Sequence, residues 1–448
     1  MTQSAIRTHY LQVLKDLIAI PSVSAKHENL DEAANFITHI FESLGAEVIH
    51  DNSFYAPFII AKFKASVPDA KTVIIYNHYD VQPAEPLDQW RTQPWKLTEA
   101  DGHLWGRGVN DDKGNLIARI TALVEYLTEH DQQLPVNIVF VVEGAEEFAS
   151  KDLTRYLDKY QSQLKADLVI WESGDRSTDE RVEVSGGTKG IVTFDVTVQT
   201  ADIDLHSSLS AVVDSAAWRL TRALATLYDD NNHVAVKGFY DDVLQPNARE
   251  KALVAQLPLT SSALVEQYHL AVPLLTQQTG EDLQETLYFQ PSLNIEGIQT
   301  GYQGNGVKTV LPALASAKME ARLVPNMSPE KTVQQIQTHF HQLGFADITV
   351  TQTLGESGYR SDMSDPEVLR VIDIVRRISQ KEPMIMPTSA GTGPMFDVYH
   401  ATQAPIASLG IGYAHSFDHA PNENIRLRDY FEHIDVIKAL IADYAKKY

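Results

Sequence analysis

Five short stretches of this chain place imidazoles and carboxylates where hydrolysis assisted by metal ions could be built. In NHYDVQP, His78 and Asp80 follow directly on an apolar run. A His-x-Asp spacing lets the ring face a cation while the carboxylate holds the other ring N–H, although such a pair also occurs as an ordinary structural contact. In GRGVNDDKGN, Asp111 and Asp112 sit in a glycine-rich turn that runs into a helix; one acid can cap that helix while the other binds metal. In VEGAEEFAS, Glu146 and Glu147 stand just past NIVFVV. Two adjacent acids repel, and a cation or a reaction proton would compensate. LVIWES repeats the pattern with Glu172, and Asp175 follows three residues later. Near the C-terminus GIGYAHSFDHAPNENI supplies His415, His419 and Glu423, any of which can also be read as an ordinary loop residue.

The force of these motifs lies in their convergence. The chain has no cysteine, which excludes disulfides, thiolate nucleophiles, Cys-ligated zinc and iron–sulfur clusters. Two imidazoles with three or four carboxylates suit a pair of Zn2+ ions, with Co2+ or Mn2+ as substitutes. Such a pair would polarise a carbonyl and acidify a bridging water, and an adjacent Glu would take the proton.

The elements that must position these groups alternate helix and strand. Strand-like runs at residues 46–50, 58–63, 72–76, 136–142 and 168–171 interleave with helices at 30–44 and 113–130. Continuous apolar strands between helices indicate a buried, mixed and largely parallel sheet, so the fold class is α/β. Past residue 185 the pattern changes: IVTFDVTVQT alternates apolar with polar, as a half-exposed strand does. Further helices at 215–227 and 329–343, with strands at 315–324 and 348–352, complete a smaller α/β sandwich. A stretch from Asp229 to Thr300 is placed only as mostly helical, and GYQGNG (301–306) is expected to be a turn. The expected organisation is a first part over 1–185, an inserted domain over 186–362 and a second part over 363–448.

Composition narrows the function classes. Of 448 residues, 44% are hydrophobic and 21% charged, a globular balance, and the formal charge is −22. A field of that sign disfavours nucleic acid and anionic lipid. The N-terminal stretch has helical spacing rather than a leader pattern, and no apolar run is long enough to span a bilayer, so the expected location is cytoplasmic, with no membrane partner.

HYDVQP, GRGVNDDKG, EGAEE, the LHS at 205–207 and H-x-x-N-E near the C-terminus together resemble the dinuclear zinc exopeptidase family. That family includes carnosinase, glutamate carboxypeptidase, aminoacylase and succinyl-diaminopimelate desuccinylase. KTVLP (308–312) and RLVPNM (322–327) resemble most the carnosinase-like cytosolic nonspecific dipeptidases. The resemblance implies that Asp111 bridges two metal ions, that His78 and Glu172 complete one site, and that Glu147 and His419 complete the other. Asp175 is the alternative to Glu172. It also implies that Glu146 is the general base and that Asp80 orients His78. The inserted domain would serve as lid and dimerisation domain, making the protein a homodimer. His206 would reach the partner subunit's site to stabilise the oxyanion. Arg322 would hold the substrate carboxylate, with Thr309 and Thr392 as further contacts. One departure is local: after DLHS this chain has Ser208-Leu209-Ser210-Ala211 where the family usually has glycines. The implied substrate is a dipeptide or similar small amide. The alternative is an N-acyl amino acid, which would make the enzyme a deacylase or desuccinylase. A non-catalytic binding relative is a third reading, and the intact Asp111, Glu146, Glu147 and His419 speak against it.

Overall fold

The apolar runs FIIAKF, TVIIYNH, NIVFVVE and LVIW form the middle of one eight-stranded sheet. They are seen in a computed structural model that describes residues 2–446. The strand order is Glu47–Asp51, Phe58–Phe63, Asn137–Glu143, Thr72–His78, Leu168–Trp171, Ile406–Ser408, Glu183–Ser185 and Met384–Met386. The four pairings 72–78 with 137–143, 72–78 with 168–171, 168–171 with 406–408, and 183–185 with 384–386 are parallel, and the other three are antiparallel. Strands buried on both faces need no polar alternation, which is why these runs are continuously apolar. Register fixes where they end: His78 pairs with Glu143, Ile75 with Ile170, and Ser408 with Trp171. The groups that follow, His78, Glu146, Glu147 and Glu172, therefore gather at one edge, where ligands bind in α/β sheets.

Helix Lys113–Glu129 is buried on nearly every side, which its KGNLIARITALVEYLTE sequence does not suggest at Lys113 and Arg119. Arg119 is fully buried and donates to the carbonyls of Tyr76 (3.1 Å), Trp171 (2.6 Å) and Leu409 (3.0 Å). One guanidinium thus satisfies the carboxyl ends of three neighbouring strands; each carbonyl left bare would cost about 1–3 kcal/mol. Lys113 donates to Leu17 O (3.1 Å) and Ile20 O (2.6 Å), carbonyls in and just past the last turn of helix Gln3–Ile18, and so ties the start of its own helix to the end of that one.

The chain divides into two compact units, one of Met1–Gly187, Ser361–Pro387 and Asp397–Tyr448, the other of Thr188–Arg360 and Thr388–Phe396. The segment Thr388–Phe396, expected in the last part of the larger domain, thus belongs with the second unit. That unit is an antiparallel sheet in the order Ser292–Thr300, Leu314–Leu323, Gly190–Gln199, Ile348–Glu356. Val192, Phe194, Val196 and Val198 alternate inward and pack with Leu220 of helix Ala216–Ala225 and Ile336 and Phe340 of helix Pro329–Gln342. The stretch expected to be mostly helical holds four short helices (Ala248–Val254, Ser261–Tyr268, Leu275–Thr279, Leu283–Phe289) and then the edge strand Ser292–Thr300, which the sequence reading misses. Glu250 pins it: the side chain closes a capping box with Asn247 and pairs with buried Arg360 at 2.8 Å. Among the described residues, no helix is long and apolar enough to cross a membrane.

Candidate metal centre

Asp111 stands between two imidazoles. Its Oδ1 lies 2.9 Å from His78 Nε2 and its Oδ2 lies 2.9 Å from His419 Nε2. Glu147 Oε2 lies 3.2 Å from the same His419 nitrogen. Ligand atoms of Asp111, Glu147 and His419 all fall within 4.8 Å of one another. His78 is fully buried, and its Nδ1 donates to the Asp80 carbonyl at 3.0 Å, so Nε2, turned to Asp111, is the ring nitrogen that an ion would take in place of a proton. Glu172 is buried beside them, and its Oε2 has no hydrogen-bond partner. An ionised acid in that position is costly unless a cation compensates it. The donor set, two imidazoles and three carboxylates with one oxygen bare, fits divalent ions of the zinc, cobalt or manganese kind.

The electrostatics agree with that fit. Burial raises the Glu172 carboxyl well above its ordinary range, and the negative charges of Glu146, Asp112 and Asp111 add to the rise. Glu146 is raised well above its ordinary value by burial and by the Asp111 and Glu147 carboxylates, against the pull of His78. His419 is raised to about 10 by its hydrogen bonds to Asp111 and Glu147. The excess of carboxylates is stabilised by positive charge, here protons on histidine.

Of the neighbouring acids, one keeps its expected place with an added task and one does not cap as expected. Asp80 holds His78 Nδ1 through its backbone carbonyl, with its carboxylate 3.3 Å from the same nitrogen, and that carboxylate also accepts the backbone N–H groups of Glu146 (3.1 Å) and Glu147 (3.0 Å). Asp112, at the N-cap position of helix Lys113–Glu129, makes no capping bond: its carboxylate accepts from the Asn77 amide and from His78 N–H (3.2 Å), so it steadies the end of the His78 strand. Gln82, which the sequence reading passes over, donates to Glu147 Oε2 at 2.8 Å. The QP of HYDVQP is the only signal that could have marked it.

His78, Asp80, Asp111, Glu146, Glu147, Glu172 and His419 all belong to the first unit. Asp175 there is exposed, and His415 contacts the rings of Tyr413 and Phe417 rather than the carboxylates. The remaining expected residues belong to the second unit, where they form two pairs. His206 and Thr309 lie on adjoining strands, His206 opposite Val310 and Ser207 N–H donating to Thr309 O at 3.1 Å. His206 Nδ1 accepts from Ser208 N–H at 3.2 Å, which puts the ring proton on Nε2 and makes that nitrogen a donor. Arg322 Nη1 donates to Thr392 Oγ1 at 2.8 Å, while its other arm lies 3.5 Å from Glu320 on the same strand.

A mixed α/β sheet whose parallel strands end in clustered histidines and carboxylates defines a metal-dependent hydrolase. The chain belongs to Peptidase family M20/M25/M40, whose sequence model matches residues 74–443. The family membership expected from the motifs is thereby shown. Among solved structures it is similar to an M20 family metallo-carboxypeptidase from Sulfolobus solfataricus, with 32% identity, a TM-score of 0.86 and coverage of 97% of this chain and 99% of that one. It is 28% identical to the Beta-Ala-His dipeptidase of Mus musculus, over 98% of this chain and 93% of the relative. It is 30% identical to the Cys-Gly metallodipeptidase of Schizosaccharomyces pombe, over 74% and 73%.

Proposed function

We propose that this metallopeptidase is a cytoplasmic dipeptidase that uses two zinc ions to cleave the amide of a dipeptide or similar small amide with a free carboxylate. The observation that carries the reading is Asp111, with one oxygen turned to each imidazole. Asp111, His78 and Glu172 would hold one ion; Asp111, Glu147 and His419 would hold the other. Bound there, the ions would polarise the scissile carbonyl and make a water acidic enough to attack at neutral pH.

The protein's own groups supply the rest. Glu146, buried and raised in pKa, takes the proton of the attacking water and returns it to the leaving amine. Asp80, by gripping the N–H groups of Glu146 and Glu147, aims that base. His206 would reach the partner subunit's site and donate from Nε2 to the developing oxyanion. The planar fork of Arg322, steadied by Thr392, holds the terminal carboxylate, with Thr309 as a further contact. The two dipeptidase relatives support a dipeptide substrate. An N-acyl amino acid is the alternative, since the same ion site would serve it.

A homodimer formed through the second unit completes the reading. Strand Ser292–Thr300 is an edge strand that exposes Ile295 and Ile298, and Val212, Trp218 and Leu314 are exposed in the same unit. Exposed apolar groups beside an open strand edge are what a partner chain covers.

The test is hydrolysis of Ala-Ala and β-Ala-His against N-acetyl and N-succinyl amino acids, first with the chelated protein and then after adding Zn2+, Co2+ or Mn2+. Cleavage of the free dipeptides restored by metal is expected. Cleavage of the acylated compounds alone would transfer the enzyme to the deacylases. Silence on all of them with ions bound would overturn the dipeptidase reading.

A further inference from the structure

We propose that Glu423 is a positioning residue that sets where Asp111 stands relative to His419; the proposal rests on reading those two residues as ligands. Glu423 is fully buried, and its two oxygens take four hydrogen bonds. Oε2 accepts from Gly108 N–H and from Arg107 Nη1, each at 2.8 Å. Oε1 accepts from Asn110 N–H at 2.8 Å and from Asp111 N–H at 3.1 Å. Three backbone donors of one short loop thus converge on a single carboxylate, an anion-binding concavity filled from within the chain.

The arrangement does more than bury a charge. Arg107 neutralises Glu423 through Oε2, which would satisfy an ordinary buried ion pair. Oε1 meets no cation; it is used wholly on the backbone of Asn110 and of Asp111 itself. Only three residues separate Glu423 from His419, and the two segments are joined again by Asn110 Nδ2 donating to Asp418 Oδ1 (2.8 Å) and Arg107 Nη2 donating to Ala420 O (3.2 Å). The loop can fold this tightly because Gly108 has φ +81° and a Cβ there would come within 2.6 Å of Val81. The contact between Asp111 Oδ2 and His419 Nε2, 308 residues apart in the chain, is therefore set through Glu423. His78 and Glu172 owe their places to other contacts, the Asp112 carboxylate and the Arg119 guanidinium.

The test is a Co2+ titration of full-length apo protein, followed by calorimetry and by the visible absorption of bound Co2+, with thermal unfolding of each apo form in parallel. Glu423→Gln keeps the side-chain size but turns an NH2 group toward N–H donors. Wild type is expected to take two ions. Glu423→Gln is expected to weaken the ion shared with His419 by about 10–100-fold, the range seen when groups behind metal ligands are lost, and the other ion clearly less, since Asp111 serves both while His78 and Glu172 keep their places. The spectrum of its remaining ion should match that of His419→Ala. Glu423→Asp keeps the charge against Arg107 and should show the same selective loss to a smaller degree; it decides the matter if the Gln variant does not fold. Two ions bound with wild-type affinity in both variants would overturn the proposal. So would equal weakening of both ions in step with a lower unfolding temperature of the apo protein, which is the signature of a merely structural residue. Failure of wild type to bind any ion would instead refute the reading of the ligands, and so is told apart.

Discussion

Asp80 and Glu146 are joined by a hydrogen bond from the Glu146 backbone N–H to Asp80 Oδ1 (3.1 Å), and the second Asp80 oxygen takes the N–H of Glu147 at 3.0 Å. With the Asp80 carbonyl holding His78 Nδ1, one residue links the end of the His78 strand to the turn that carries two adjacent acids. Both acids repel each other and the rest of the cluster. Their backbone is therefore fixed from outside the turn, by the residue that also orients the imidazole.

It follows that Asp80→Asn should disturb more than the His78 ring. The amide keeps one acceptor and places an NH2 group against the other N–H. We expect kcat to fall by about 10–100-fold and metal affinity by a similar factor, with about 1–3 kcal/mol lost from stability for the unsatisfied donor. Steady-state kinetics and metal titration check this; an unchanged kcat would mean that the Glu146 turn holds itself.

Glu146→Gln separates chemistry from binding. The side chain has no ligand role in the proposed centre, so metal content measured by mass spectrometry should match wild type while kcat drops by about 10²–10⁴. Near-normal turnover would disqualify Glu146 as the base.

Arg322→Lys tests the carboxylate anchor. Lysine keeps the charge but loses the planar fork, and KM for a dipeptide should rise by about tenfold with kcat changed by little, the mark of a group that binds ground state and transition state alike. A fall in kcat at constant KM would assign Arg322 a different task.

Stability should fall in mild acid, partly through His433. This ring is buried in helix Leu427–Asp443, where burial and then the Arg119 and Arg176 charges push its pKa well below the ordinary 6.5. Between that lowered value and 6.5 the unfolded chain binds a proton that the folded chain refuses. The contribution is whole above pH 6.5 and declines below it, by up to about 1.4 kcal/mol per pH unit. His433→Gln, which can still accept from Arg119, should flatten the pH dependence of the urea midpoint between pH 6.5 and 5. A slope equal to that of wild type would rule this residue out as a contributor.

Much of the candidate ion centre is visible in the sequence because apolar strands that end in acids are conspicuous. NIVFVV before Glu146 and LVIW before Glu172 show both the strand and its terminus, and the bounds of Leu168–Trp171 agree with the pattern. Side-chain direction is not visible in the same way. Nothing in HYD shows that the carboxylate beside the ring also grips a turn 66 residues away. Lys113 and Arg119 escape notice, and Glu423 is seen without its role, because a charge in a helix or loop reads as solvated; their partners are backbone carbonyls and loop N–H groups that only the tertiary fold supplies. Strand Ser292–Thr300 is missed for a different reason. SLNIEGIQT lies at a sheet edge with a register shift between Ile295 and Gly297, so it shows neither a continuous apolar run nor clean alternation.

The distance in sequence between Asp111 and His419 has a consequence for how the protein is made. The chain emerges N-terminal end first, so His78, Asp111, Glu147 and Glu172 are all synthesised long before their last companion. Most of the second unit, Thr188–Arg360, is also complete by then. Until residue 419 and the strand Ile406–Ser408 are added, the nascent chain carries a concentrated set of acids with no counterpart to close the centre. In the proposed centre, ion capture would thus await the chain that carries His419, and a translation product interrupted before it would have neither the complete ligand set nor the stabilisation that a bound cation supplies.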